Sequence, residues 1–97
     1  MENTILENKM FKAQAQLIHR ASILMLAGYG GRVTASCHPS IDLFHFAYGD
    51  VQVYFDDEHA FNDDEINAAI AQLDAKIEQH YKAGALAVSV IKAWRGE

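Results

Sequence analysis

Phe44-His45-Phe46-Ala47-Tyr48 and Val51-Gln52-Val53-Tyr54-Phe55 flank the pair Gly49-Asp50, and apolar side chains recur at alternate positions in both halves. A period of two is the signature of a strand with one buried face. Gly49 at the first central position suits a two-residue type II′ turn, so the stretch predicts a hairpin. Upstream, Val33, Ala35 and Cys37 continue the alternation, and Pro39-Ser40 supplies turn chemistry. With two-residue loops at both ends of the middle strand, Phe46 is expected opposite Val33 and Val53, and Phe44 opposite Ala35 and Phe55. One face of this meander then carries Val33, Ala35, Cys37, Phe44, Phe46, Tyr48, Val51, Val53 and Phe55. A one-residue slip would turn that apolar set toward water.

The flanking segments switch to helical spacing. Leu6, Met10, Ala13, Leu17, Ala21, Leu24 and Gly28 form one stripe, widened by Ile18 and Met25. Thr4 and Glu7 have the spacing of a capping box, and Gly28-Tyr29-Gly30-Gly31 predicts a stop near Ala27. A second helix is expected from Asn62 or Asp63, capped by Asn62, with Ile66, Ala69, Ile70, Leu73, Ile77 and Tyr81 inward and Gly84 at its end. Residues 85–95 group Ala87, Val90, Ile91 and Trp94 as a helix would, while Leu86, Val88 and Val90 alternate as a strand would. The expected fold class is α+β: a three-stranded antiparallel meander covered on one face by two helices (α-β-β-β-α), with the C-terminal tail as a short third helix or a fourth strand. At 97 residues the chain is expected to be a single domain, 1–97.

The order α-β-β-β-α resembles that of double-stranded-RNA-binding domains, in topology alone. Those domains grip phosphate with a lysine-rich start to their last helix. Asp63-Asp64-Glu65 stands there in this chain and would repel phosphate, so direct nucleic-acid binding is not expected.

Charge is segregated along the chain. Between Val33 and Ala75 lie nine acids and no Lys or Arg, while the rest of the sequence carries eight basic residues and four acids. Net charge is −5. Local roles exist for many of these acids: Asp63, Asp64 and Glu65 sit where a helix dipole favours negative charge, Asp50 in a turn, and Asp56, Asp57 and Glu58 in a loop. Those roles do not account for the missing cations, because natural surfaces intersperse signs. Carboxylates within a Debye length of about 8 Å add their fields. Asp50, Asp56, Asp57, Glu58, Asp63, Asp64 and Glu65 are therefore the candidate partner-binding residues, facing a basic protein that itself binds nucleic acid.

No catalytic, cofactor-binding or metal-binding residue is assigned. The acid-rich segment 56–65 lacks the spacing and central Gly of an EF-hand loop. His19, His38, His45, His59 and His80 form no zinc motif, and Cys37 and His38, as strand neighbours, point to opposite faces. Gly28-Tyr29-Gly30-Gly31 follows a helix and is no nucleotide loop. The single cysteine allows no intrachain disulfide. The first residues lack a signal-peptide pattern and no apolar run reaches membrane-spanning length, so a cytoplasmic protein is expected.

On the outer sheet face, Thr34, His45 and Tyr54 are expected in one row, Ser36, Leu43 and Asp56 in the next, and His38 and Ile41 beyond. The leading functional expectation is a small non-enzymatic interaction protein. Its sharpest form is a nucleic-acid-mimicking inhibitor of a DNA- or RNA-binding complex, of the kind phage and mobile elements use against restriction or CRISPR systems. That analogy rests on size and charge layout. The alternatives are a small enzyme or ligand-binding module using His45 and Tyr54, and a homodimer joined through the exposed sheet face.

Overall fold

The structure, a computed structural model, describes residues 2–29 and 31–96, with side chains from Ile5 onward. Its elements are α1 (Glu2–Leu26), β1 (Thr34–His38), a 3-10 turn (Pro39–Ile41), β2 (Leu43–Tyr48), β3 (Val51–Phe55), α2 (Asp63–Lys82) and α3 (Val88–Arg95). The strands form one antiparallel sheet in the order β1-β2-β3. The α+β meander with its helices on one face is thus as the periodicities predict, and the tail is a helix.

The β2–β3 register is the expected one: Phe44 faces Phe55 and Phe46 faces Val53. Gly49 has φ +61°, whereas Asp50 is not in the positive-φ region, the pattern of a type II′ turn. A Cβ on Gly49 would lie 2.8 Å from the Tyr29 hydroxyl. We expect Gly49→Ala to lower stability by about 1–2 kcal/mol, through backbone strain and displacement of Tyr29. A urea titration monitored by circular dichroism reads this directly, and an unchanged midpoint would contradict it.

The β1–β2 register differs from expectation by two residues. Ala35 faces Phe46 and Cys37 faces Phe44. The loop has four residues, not two: Pro39–Ile41 make a 3-10 turn and Asp42 closes it in the left-handed region at φ 54°, its N–H donating to Pro39 O at 3.1 Å. The reason is steric. Two-residue hairpins require positive φ at their first central position, and the proline ring fixes φ near −65°. A slip of two preserves side-chain parity, so the apolar face is retained. Phe44, Phe46, Tyr48, Val51, Val53 and Phe55 are all buried, whereas Ala35 at the sheet edge is exposed and Cys37 half-buried.

α1 begins at Glu2, so Thr4 lies inside the helix and not at its cap. Its buried stripe is Met10, Ala13, Leu17, Ala21, Ile23 and Leu24, while Ile18 and Met25, expected to widen it, are exposed. α1 ends in a Schellman motif: Tyr29 N–H donates to Leu24 O at 3.1 Å and Gly28 N–H to Met25 O at 3.0 Å, with Gly28 at φ 79°. α2 ends the same way, Ala85 N–H donating to His80 O and Gly84 N–H to Tyr81 O, both at 2.9 Å. At its start the Asn62 side chain accepts from Asp64 N and Glu65 N, the expected cap.

Among the described residues two ion pairs cross between α1 and α2: Lys9–Asp63 at 3.4 Å and Arg20–Asp74 at 2.7 Å. Both span 54 residues. A constant offset means the helices run parallel, so their positive dipole ends lie at the same end of the molecule. α1 covers β1 and β2, and α2 covers β3. Gln14, buried on α1, fixes this placement, because its amide nitrogen donates to Ser36 O at 3.1 Å and His45 O at 2.9 Å. α3 closes on the far ends of both helices: Leu86 and Ile91 enter the core, and Arg95 bonds Glu78 at 2.6 Å.

Candidate functional site

Antiparallel strands send alternate loops to opposite ends of a sheet. The β1–β2 loop and the β3–α2 loop therefore share one end with the N-termini of both helices. The β2–β3 turn lies at the other end. This parity decides which carboxylates meet.

Leu6, Met10, Asp42, Asp56, Asp57, Ala60 and Phe61 line one cleft of about 190 Å³ at the loop end. A second, of about 380 Å³, is lined by Leu6, Glu7, Pro39, Ser40 and Asp42. Asp63, Asp64 and Glu65 open α2 beside them. The acidic pole thus comprises Glu7, Asp42, Asp56, Asp57, Glu58, Asp63, Asp64 and Glu65. Glu7 and Asp42 were not among the expected residues. Strand parity, legible in the sequence, signals Asp42. Glu7 needs the parallel packing of α1 against α2.

Phe61 and Phe55 fix the loop that carries most of these acids. Their rings lie 5.2 Å apart, Phe44 lies 5.6 Å from Phe61, and His59 stacks on Phe55 at 5.4 Å. Asp56 is committed to the loop backbone. Its carboxylate accepts from Glu58 N at 2.9 Å and His59 N at 2.8 Å, an Asx-type turn. Lys9 pairs with Asp63 at an exposed site, and His59 Nε2 lies 2.8 Å from a Glu65 oxygen. Asp57, Glu58 and Asp64 are exposed, and among the described residues their carboxylates have no ion-pair or hydrogen-bond partner.

Asp50 does not join them. Six residues of extended chain separate it from Asp56, roughly 20 Å at about 3.3 Å per residue. It is also compensated. Lys76 of α2 lies 3.0 Å away and the Tyr29 hydroxyl donates to it at 3.1 Å, while Lys76 sits 4.9 Å over the Tyr29 ring. The hydrogen bond from Lys76, then that from Tyr29, holds the Asp50 carboxyl below the usual carboxylate range. A depressed folded-state pKa contributes stability that is present above the unfolded value near 3.9 and lost as pH falls through the folded one. We expect Asp50→Asn to flatten the acid limb of stability against pH below about 4. Thermal melts across that range check it, and parallel curves for variant and parent would refute the assignment.

The outer sheet face is also corrected by the register. Ser36, not Thr34, stands opposite His45, with Tyr54 on the other side. The His45 and Tyr54 rings meet edge-on at 5.7 Å. His45 Nε2 is buried without a hydrogen-bond partner, and no hydrogen bond joins the Ser36 hydroxyl to His45 among the described residues. Burial, with the nearby charge of Glu7 second, raises the Cys37 thiol pKa and disfavours its nucleophilic form. Among the described residues no group of three or more His, Cys, Asp or Glu is placed to hold a metal ion, and no helix is long and apolar enough to cross a membrane.

No family model, curated protein or solved structure matches the chain.

Proposed function

We propose that this chain acts by binding, presenting its acidic pole to a basic surface of a partner protein that handles nucleic acid. The observation that carries this is the convergence of eight carboxylates from α1, the β1–β2 loop and the β3–α2 segment on one end of the fold. Lys9 pairs one of them, and Lys12 lines the groove next to Asp63. Asp57, Glu58, Asp63, Asp64 and Glu65 stand in for phosphates, Asp56 shapes the loop, and Glu7 and Asp42 extend the charged area. Both helix N-termini point their positive ends at this pole, which offsets part of the mutual repulsion. In its sharpest form the protein occupies the groove of a DNA- or RNA-binding complex and inhibits it, as small phage proteins do to restriction and CRISPR complexes. Such recognition steers encounter through long-range attraction and is screened by salt. The test is capture from a source lysate at low and high ionic strength, followed by mass spectrometry. A nucleic-acid-binding protein held at low salt, released at high salt and displaced by duplex nucleic acid is the expected result. A partner retained regardless of salt, or one that binds no nucleic acid, would refute the reading.

A further inference from the structure

The flank of the molecule beyond β1 is unfinished in two ways. The first is backbone. Gln14 bonds the carbonyls of Ser36 and His45 together, so both point into the β1–β2 gap. Alternation then turns the N–H and C=O groups of Ala35 and Cys37 outward, where they have no partner among the described residues. Natural edge strands are usually blunted by Lys, Pro or a bulge. Thr34-Ala35-Ser36-Cys37-His38 has neither residue type and pairs without a bulge. The opposite edge, β3, is bracketed by Asp50 on one side and Asp56 and Asp57 on the other.

The second is α1. Phe11 (49% exposed), Ile18 (39%) and Met25 (50%) recur every seven residues, with the small Ala15 and Ser22 between them. At 100° per residue this stripe lies opposite the side that carries Lys9 and Arg20 to α2, so it overhangs β1.

We propose that this chain forms a two-fold homodimer in which β1 pairs antiparallel with β1 of a second copy and the two α1 stripes pack together. Spacing supports it. Gln14 sets α1 over the β1–β2 seam, and the corresponding seams in a continuous sheet lie two strand spacings apart, about 9.6 Å. Packed helices stand about 8–10 Å apart. A dyad through Ser36 lies beneath residues 14 and 15 of α1, which brings Phe11 of each copy against Ile18 of the other.

Charge fits the same dyad. Arg32, exposed and without an ion-pair partner among the described residues, precedes β1. Antiparallel pairing about Ser36 sets Thr34 opposite His38 of the other copy, so Arg32, two residues before β1's first residue, comes to the end where the 3-10 turn opens the cleft lined by Glu7, Pro39, Ser40 and Asp42. Two symmetric Arg32–acid contacts result, and the acidic poles go to opposite ends of the assembly. A specific interface needs roughly 1,000 Å² of buried surface in total, about 500 Å² from each copy, and strand pairing and helix packing together supply two contact areas toward it. The dimer does not depend on what the acidic poles bind.

Sedimentation equilibrium of the full chain up to sub-millimolar concentration tests this. The parent should be dimeric, and Ile18→Glu or Met25→Lys should be monomeric with unchanged circular dichroism, since both positions are exposed. Arg32→Glu should weaken the dimer about tenfold or more, and Asp42→Lys added to it should restore affinity. A parent that stays monomeric overturns the proposal, including one that instead takes up a foreign extended segment on β1. So does a dimer that survives both stripe variants and is lost on Tyr54→Glu, which would place the contact on the outer sheet face.

Discussion

Phe55→Ala is expected to remove about 3–5 kcal/mol of stability. A domain of this length has only about 5–15 kcal/mol in total. Phe55 is fully buried and contacts Phe44 at 5.8 Å, Phe61 at 5.2 Å and His59 at 5.4 Å. Truncation therefore opens a cavity where the sheet, the β3–α2 loop and the entrance to α2 meet. Urea denaturation should show a lower midpoint with an unchanged slope, because the surface exposed on unfolding is nearly the same. The half-buried Phe61 should cost less when truncated, about 1–3 kcal/mol. A loss below about 1 kcal/mol at Phe55 would mean that this aromatic cluster does not hold the loop. The variant should also weaken partner capture, because the loop beneath Asp57 and Glu58 loses its anchor.

The combined replacement Asp57→Ser, Glu58→Ser and Asp64→Ser is expected to lower affinity for the captured partner by at least about tenfold while the fold stays intact. These side chains are exposed and hold nothing else together among the described residues, so stability should change by no more than about 0.5–1 kcal/mol. Asp56 is left alone because its carboxylate organises the loop backbone. Asp50→Ser serves as the control at the far end of the sheet, and its capture should match the parent. Full retention of the partner by the triple variant, at low salt, would end the case for the acidic pole. A loss on Asp50→Ser about one third that of the triple variant in log affinity, one charge against three, would instead show that only total charge matters.

The two registers show where local pattern suffices. Gly49-Asp50 carries its own turn geometry, so the Phe44–Phe55 pairing is legible from residues alone. Pro39-Ser40 carries an equally definite instruction, since proline at the first central position excludes a two-residue hairpin. That the loop is not a two-residue one was thus written in the sequence, but the alternating pattern is blind to it, because a slip of two leaves every side chain on the same face, and the four-residue length came from the fold. The helices behave similarly. Periodicity picks out Met10, Leu17 and Leu24 as core, yet it cannot separate them from Ile18 and Met25, which lie within one turn but point past the edge of the sheet.

Sequence alone determined the three-stranded meander and the two long helices, their order, the apolar sheet face and the caps at Asn62, Gly28 and Gly84, because each depends on residues only a few positions apart, whereas the tail, open between helix and strand in the sequence, became α3 in the fold. Tertiary structure decided which charges meet. Asp50 and Asp56 are close along the chain but about 20 Å apart along an extended strand. Glu7, Asp42 and Asp57 are far apart along the chain and converge around Leu6 at the loop end. Electrostatic interaction falls with distance in space and not with separation along the chain, so strand parity sets Asp50 at the end opposite Asp42 and Asp56, and only the parallel packing of α1 against α2 brings in Glu7.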